Sequence, residues 1–472
     1  MGNRLDTIRP AGILELWDRY VRPRAALFGQ MGWIGSTYFL QQAIRLGSSI
    51  VLAWLLAPEL LGTMLLINTL RTGGELLTDV GIGQSIVNNK NGAKTEFYNT
   101  AWTIQIIRGV ILFAITVALA GPIAGAYDNP ELLVLLPAVA PIFLLTGFTA
   151  PARFLLQKGL QVRKLAMFDL GIAILATLVQ IGLAWVMPNI WALIWGLLIG
   201  TALSAMGSYL LMDWRSLRPA WNGDAARAVL HFGKWVFAAS IIYFLAMNFD
   251  RLYFADAIPF AMLGIYGIAR TFSDTIMQLF QRVGHLLIFP KISASADRGG
   301  DLVQSVGGLR RAALVVVAFG LAAGVALADQ FIYLAYDDRY RAAGFFLPVL
   351  LIGTWFGILA TMADAMMMGV GKPSGVAFSN GAKLAIIVIA LPFVLPRYGL
   401  NAALAVFVAA EAVRYLVLAL QNRLLGMGFT RQDIALTALF GGFIVMFREL
   451  TMMLGLTGGV DEWVALAQVS HV

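Results

Sequence analysis

Apolar residues run along this chain in stretches of about twenty, the length that crosses the roughly 30 Å hydrocarbon core of a bilayer as a helix. In the first half these stretches are Gly29 to Leu56, Leu60 to Val87, Thr100 to Gly121, Leu132 to Phe154, Leu165 to Met187 and Ile190 to Met212. A polar connector, Asp213 to Asp224, precedes a second series: Val229 to Phe254, Ala261 to Phe289, Leu309 to Leu327, Ala343 to Val370, Val376 to Leu395 and Ala402 to Leu420. The pattern predicts an all-α integral membrane protein of about twelve transmembrane helices in two sets of six. One more apolar stretch, Ile434 to Leu456, is interrupted by Arg448 and Glu449. It reads as a thirteenth span, a hairpin or an interfacial helix.

Ahead of the first span, Ile13, Leu14, Leu16, Trp17, Tyr20 and Val21 lie among Arg19, Arg22 and Arg24. That spacing suits an amphipathic helix on the membrane surface, with a solvated basic tail as the plainer alternative. The same stretch lacks the apolar core and cleavage site of a signal peptide. The expected organisation is therefore a cytoplasmic N-terminal segment (1–27), a six-helix lobe (28–212), a connector (213–228), a second six-helix lobe (229–422) and a C-terminal segment (423–472).

Composition agrees. Hydrophobic residues are 59% of the 472 positions and charged residues 13%, outside the range of soluble globular chains. With no cysteine, disulfides, thiol nucleophiles and cysteine metal sites are excluded. His231, His285 and His471 are too scattered for a metal site, and no cofactor is implied. The net charge of +8 would suggest nucleic acid in a soluble protein, but the placement of the basic residues points to a membrane instead.

Sorted into alternate loops, the basic residues fall almost entirely on one side. That side holds Arg4, Arg9, Arg19, Arg22 and Arg24; Lys90 and Lys94; Arg153, Lys158, Arg163 and Lys164; Arg215, Arg218, Arg227 and Lys234; Arg282, Lys291, Arg298, Arg310 and Arg311; Lys372; Arg423 and Arg431. The other side holds only Arg339, Arg341 and Arg397. Both ends of the twelve-helix core are accordingly expected in the cytoplasm. The cluster from Arg153 to Lys164 reads mainly as a topology signal that meets acidic lipids, and less as a site capturing headgroups before they enter. The remaining basic residues, Arg45, Arg71, Arg108, Arg251, Arg270, Lys383, Arg414 and Arg448, lie inside spans. A charge at mid-bilayer costs at least about 2.5 kcal/mol, so such residues face a bundle interior or a wet cavity.

The two halves show traces of a repeat. Phe28-Gly29 and Phe232-Gly233 open their first helices, Tyr38-Phe39-Leu40 matches Tyr243-Phe244-Leu245, and Pro58 with Gly62 matches Pro259 with Leu263-Gly264. Further segments are Leu55-Leu56-Ala57-Pro58, Leu77-Thr78-Asp79-Val80-Gly81-Ile82-Gly83, Ser85-Ile86-Val87, Asp250-Arg251-Leu252, Leu263-Gly264-Ile265-Tyr266 with Ala269, and Phe289-Pro290. In order and spacing these segments resemble the polysaccharide transporters, or Wzx-type flippases, of the multidrug/oligosaccharidyl-lipid/polysaccharide (MOP) exporter superfamily. The resemblance covers about residues 28 to 422, and the region after Arg423 departs from it. It implies a V-shaped, MATE-like bundle of two lobes that moves a lipid-linked oligosaccharide on undecaprenyl pyrophosphate across a bacterial inner membrane. It also implies polysaccharide polymerase and export proteins as partners.

Independently of the resemblance, Arg71, Glu75 and Asp79 fall at intervals of four, as do Arg270, Asp274, Gln278 and Arg282 in the matching helix of the other half. Matched polar stripes are what a central wet cavity between two lobes requires. Arginine's planar fork suits pyrophosphate, so Arg45, Arg71, Arg108 and Arg270 are expected to hold the headgroup, with Asn248, Arg251 and Gln278 lining the cavity. The plainer reading makes Arg71 with Glu75 and Arg270 with Asp274 structural pairs. Glu75, Asp79, Asp250, Asp274, Asp364 and Glu411 are candidates for coupling to H+ or Na+, against simple compensation of neighbouring arginines. Met362, Met366, Met367 and Met368 are expected to pack the bundle or face lipid.

Two other functions compete. A drug or organic-cation antiporter would want acidic or aromatic groups in the cavity, which the intramembrane arginines oppose. A membrane glycan polymerase or ligase would need catalytic groups on an external loop, and the longest such loop, about Asp329 to Arg341, holds no histidine. Because the chain has no cysteine, topology can be read cleanly. A membrane-impermeant maleimide added to intact cells is expected to label an Arg339→Cys variant and to spare Lys90→Cys; the opposite pattern inverts the topology.

Overall fold

The computed structural model describes residues 22–79, 81–287 and 302–457, and no strand occurs among them. The expected surface helix over residues 1–21 lies outside this set, as do Phe289 and Pro290. The helices before the connector are α1 (Arg22–Leu55), α2 (Pro58–Leu77), α3 (Ile82–Asn88), α4 (Thr95–Ala126), α5 (Leu132–Val139), α6 (Pro141–Phe148), α7 (Ala152–Lys158), α8 (Val162–Val186) and α9 (Ile190–Tyr209). After it come α10 (Gly223–Ala257), α11 (Phe260–Leu287), α12 (Leu302–Ala335), α13 (Ala343–Gly369), α14 (Pro373–Leu424) and α15 (Thr430–Met453). Among the described residues, seven helices are long and apolar enough to cross a membrane, or eight if the bent run from Leu132 to Lys158 is one span. The long helices that fall short of that apolarity, α1, α2, α10 and α11, carry the charged stripes.

The differences from the sequence pattern have local causes. α1 begins at Arg22, inside the segment assigned to the surface, and α10 begins at Gly223, where the Asn222 side chain accepts from the amides of Asp224 and Ala225. The stretch Leu60 to Val87 is not one helix. α2 stops at Leu77, and the chain turns through Gly81 at φ 63°, which glycine adopts without a Cβ penalty. Leu132 to Phe154 is broken at Pro141, whose ring cannot donate, and again before α7, with a 45° bend. α14 contains both expected spans, separated at Gly399 (φ 76°).

The first and second groups of helices meet where α2 lies on α11. A Cβ added to Gly62 would sit 1.9 Å from the Phe260 carbonyl oxygen, and one added to Gly264 would sit 2.0 Å from that of Pro58. Backbone therefore touches backbone, reciprocally, near the start of both helices. Further along, Gly267 receives Leu65, and Gly73 receives the ring of Phe244. The same end is tied by Trp54 Nε1 donating to the Ala335 carbonyl (2.7 Å) and by Tyr340 Oη donating to that of Leu56 (3.1 Å). At the other end the connector is strapped to α4. The backbone amides of Ala220 and Asn222 donate to Thr103 and Thr100, and Ala225, Ala226 and Val229 pack against Ile82, Ile86 and Phe97.

α15 settles the ambiguous C-terminal stretch as one continuous helix. Arg448 does not break it because this side chain, 1% exposed, reaches Asp329 Oδ2 (2.7 Å) and the Ala326 carbonyl on α12. Toward the other end Arg310 of α12 pairs with Asp433 of α15 (2.5 Å), and Trp355 stacks on Phe440. Asp329 thus belongs to a helix and not to an external loop, which shrinks that loop to residues 336–342. Met362, Met366 and Met367 are buried in α13, whereas Met368 is exposed.

Gly62→Val or Gly264→Val is expected to lower stability by about 2 kcal/mol or more, seen as a lower melting temperature in detergent. Gly47→Ala in α1, with nothing within 4 Å of the added carbon, serves as the neutral comparison.

A charged cavity in the first group of helices

Arg71, Thr72 and Glu75 project from α2 into a cavity of about 1030 Å³ bounded also by α4, α6, α7, α8 and α9. Arg71 Nη1 pairs with Glu75 Oε1 at 2.8 Å, the i,i+4 contact expected. Asp79 is not the next step of that stripe. It lies past the end of α2, where its carboxylate accepts from the amide of Gly81 (2.9 Å) and lies 3.8 Å from Arg108. Arg108 of α4 is the keystone of this corner. Its Nε donates to Thr78 Oγ1 (2.9 Å) and its Nη2 to the Glu75 carbonyl, so a cation sits at the negative end of the α2 dipole.

All four charged side chains remain about a quarter exposed, between 22% and 28%. α7 adds Arg153 to the lining, paired with Asp169 of α8 (2.8 Å), and its Lys158 donates to the carbonyls of Val87 and Asn89. The walls between are amides and hydroxyls. Gln105 is pinned by the carbonyls of Thr146, Gly147 and Thr149 where α6 ends, and Gln180, Thr201 and Ser204 line the α8–α9 side. Three guanidiniums and two carboxylates thus line the cavity, and Asp169, the partner of Arg153, supplies a third carboxylate beside it.

The second stripe does something else. Arg270 contacts Asp250 (3.6 Å) and Asp274 (3.2 Å), Tyr266 donates to Asp250, and Arg251 pairs with Asp274 while donating to Asn248 Oδ1 (3.0 Å). Next to it Lys383 pairs with Glu411 (2.5 Å), and Arg414 bridges Glu411 and Asp364. The described cavities here are about 50 Å³ and 10 Å³. The residues expected to share one cavity thus fall in three places. Arg71 and Arg108 line the large cavity, and Asn248, Arg251 and Arg270 belong to the ion-pair network. Arg45 and Gln278 lie where α1 meets α11, with Arg45 donating to Thr275 (2.5 Å) and Gln42 to Gln278 (3.4 Å). The cause is α11 itself: its charged face turns to α10 and α14, where carboxylates await it. Of the second stripe, the Arg282 side chain is outside the description.

Residues 51–343 match the family described as "Polysaccharide biosynthesis protein". The chain belongs to this family. It is 21% identical over 295 residues, 61% of its length, to the lipopolysaccharide biosynthesis protein WzxC of Escherichia coli. It spans about three fifths of the length of the curated relatives it matches. Its fold is that of the lipid II flippase MurJ in an inward closed conformation, with a TM-score of 0.74, 12% identity and coverage of 92% of this chain and 95% of that one. An inward-facing MATE family transporter of the MOP superfamily aligns at a TM-score of 0.63, with 13% identity and coverage of 84% and 95%. The polysaccharide family's member here is thus an all-helical, multi-span membrane protein of MATE-like fold.

Lys383 and Arg414 were visible as intramembrane charges, but their pairing with Glu411 and Asp364 joins residues far apart in the chain, which helical spacing does not reveal. Gln105, Gln180 and Ser204 gave no sequence signal beyond being polar within apolar stretches. Glu411→Met is expected to cost about 3 kcal/mol or more by stranding Lys383, which is 3% exposed, and Lys383→Met/Glu411→Met to recover most of that loss in thermal unfolding. A double variant no better than the single would mean that the pair is not what Lys383 depends on.

Proposed function

We propose that this protein is a flippase that moves a lipid-linked oligosaccharide, borne on undecaprenyl pyrophosphate, from the cytoplasmic to the periplasmic leaflet of a bacterial inner membrane. One observation carries the reading. A cavity of about 1030 Å³ within a membrane-spanning bundle is lined by Arg71, Arg108 and Arg153, each in an ion pair yet between 22% and 42% exposed, with amides and hydroxyls between. Guanidinium forks that remain accessible bind the oxygens of a pyrophosphate in pairs. Amides and hydroxyls suit sugar hydroxyls. The family's role in polysaccharide biosynthesis and the likeness to a lipid II flippase support the same reading.

In this scheme Arg71 and Arg108 receive the pyrophosphate while the polyprenyl tail stays in lipid. The glycine contact between α2 and α11 serves as the pivot for alternating access. The N-terminus lies in the cytoplasm, and polymerase and export proteins consume the product. Arg45 and Gln278 act between the bundles and not as headgroup ligands. We assign Asp250, Asp274, Asp364 and Glu411 to charge compensation, since each already holds a guanidinium or ammonium; coupling to H+ or Na+ would require breaking these pairs. A cationic drug is disfavoured for the same reason, because Glu75 and Asp79 are also engaged by arginines.

Depletion of the protein is expected to strand lipid-linked oligosaccharide on the cytoplasmic leaflet, whereas unpolymerised units on the outer face would indicate a polymerase. Arg71→Ala and Arg108→Ala are each expected to slow translocation about tenfold or more with normal membrane insertion. Full transport by both would sink their role as headgroup ligands.

A further inference from the structure

One wall of the large cavity is built by α8 and α9. These helices pack antiparallel through small residues. A Cβ added to Gly196 would meet the Gln180 side chain at 2.9 Å, one on Gly200 would meet Ala176 at 3.0 Å, and one on Gly207 would meet the ring of Phe168 at 2.8 Å. The stem of Gln180 therefore lies across Gly196, which leaves its amide little choice of direction, and that amide lines the cavity with Thr201 and Ser204. The outer side of α8 is apolar, with Ile174, Leu175 and Leu178 exposed as a lipid-facing surface would be.

Gln180 lies inside the apolar span of α8, six residues or about 9 Å of helix before its end at Val186. The side chains of Gln180 and Ser204 make no hydrogen bond to another described residue, and Thr201 uses its proton on the Leu197 carbonyl, leaving its oxygen to accept. An unpaired amide at that depth is costly unless something in the cavity satisfies it. No charged residue stands on this wall between Asp169 and the end of α9.

We propose that Gln180, Thr201 and Ser204 form a subsite for a neutral sugar, adjoining the arginine site that holds the pyrophosphate. This rests on the flippase reading and deepens it. A primary amide offers donor and acceptor side by side, which matches neighbouring hydroxyls of a pyranose, each of which both donates and accepts. A uronic acid gains nothing on this wall, because its carboxylate finds no cation there and loses water on entering. Gly196 is the positioning residue, since it sets where the amide of Gln180 lies.

The test uses the purified full chain in lipid nanodiscs and three probes: undecaprenyl pyrophosphate, the same carrier bearing one glucose, and the same carrier bearing one glucuronic acid, titrated by native mass spectrometry. The wild type is expected to bind the glucose form about tenfold tighter than the bare carrier, the worth of one or two hydrogen bonds, with no such gain for glucuronate. Gln180→Met, close in size, and Gly196→Val, which displaces the Gln180 stem, are each expected to abolish the glucose gain and to leave the bare carrier's affinity unchanged. Equal binding of glucose and bare forms by the wild type overturns the subsite, as does a Gln180→Met variant that weakens all three probes alike. Wild-type protein that binds none of the three would instead bring down the flippase reading beneath it.

Discussion

The arrangement turns on the contact of α2 with α11, where two glycines let two peptide backbones touch. Gly62 against the Phe260 carbonyl and Gly264 against that of Pro58 leave no room for any side chain. Close approach of this kind replaces the hydrophobic effect, which has little force between helices in lipid, with dense van der Waals packing. Because the contact lies near the start of both helices, it fixes the two groups at one end. Arg71, 13 residues into α2, lies roughly 20 Å from that end. There α2 gives Arg71, Thr72 and Glu75 to the large cavity, whose remaining lining comes from helices of its own group.

Low dielectric then decides what the charges inside can be. In the second group four intramembrane acids meet bases: Asp250 and Asp274 meet Arg270 and Arg251, and Asp364 and Glu411 meet Arg414 and Lys383. Such a network is neutral as a whole and does little to attract an anion. The first group is different. Its charges are paired as well, Arg71 with Glu75, Arg108 with Asp79 and Arg153 with Asp169, but these pairs border a cavity of about 1030 Å³ and their side chains stay between 22% and 42% exposed. The asymmetry is one of access and not of net charge: Lys383 and Arg414 of the second group are 3% and 6% exposed.

Much of this was legible in the chain. Hydrophobic length located nearly every helix, and the match of Pro58-Gly62 with Pro259-Gly264 marked the very residues that form the inter-bundle contact. The i,i+4 rule found Arg71 with Glu75 and Arg270 with Asp274. It misplaced Asp79, because a periodicity argument assumes the helix continues, whereas α2 stops at Leu77 and Gly81, in a left-handed conformation, already begins the next helix. It was silent on Lys383 with Glu411 and on Arg448 with Asp329, since those pairs depend on how helices are placed beside one another. The residues of the two matched stripes fall in different places among the described cavities for a related reason: repeated spacing shows that two faces are polar, but not that they face each other.

Burial also differs between the two groups in a way that bears on movement. Most of α13 is buried, and α15 is clamped to α12 by reciprocal ion pairs, Arg310 with Asp433 and Arg448 with Asp329, each costly to separate in an apolar medium. By contrast only Ala184 of α8 is buried, and α8 and α9 hold together through glycines and small side chains instead of ionic locks. Sliding of packed small residues costs less than breaking a desolvated ion pair. In the flippase cycle proposed above, with α2 and α11 as the pivot, the α8–α9 wall is therefore the part of the large cavity that yields most cheaply, with the C-terminal helices as the fixed body. The same wall that carries Gln180 would then be the one that meets and leaves the cargo.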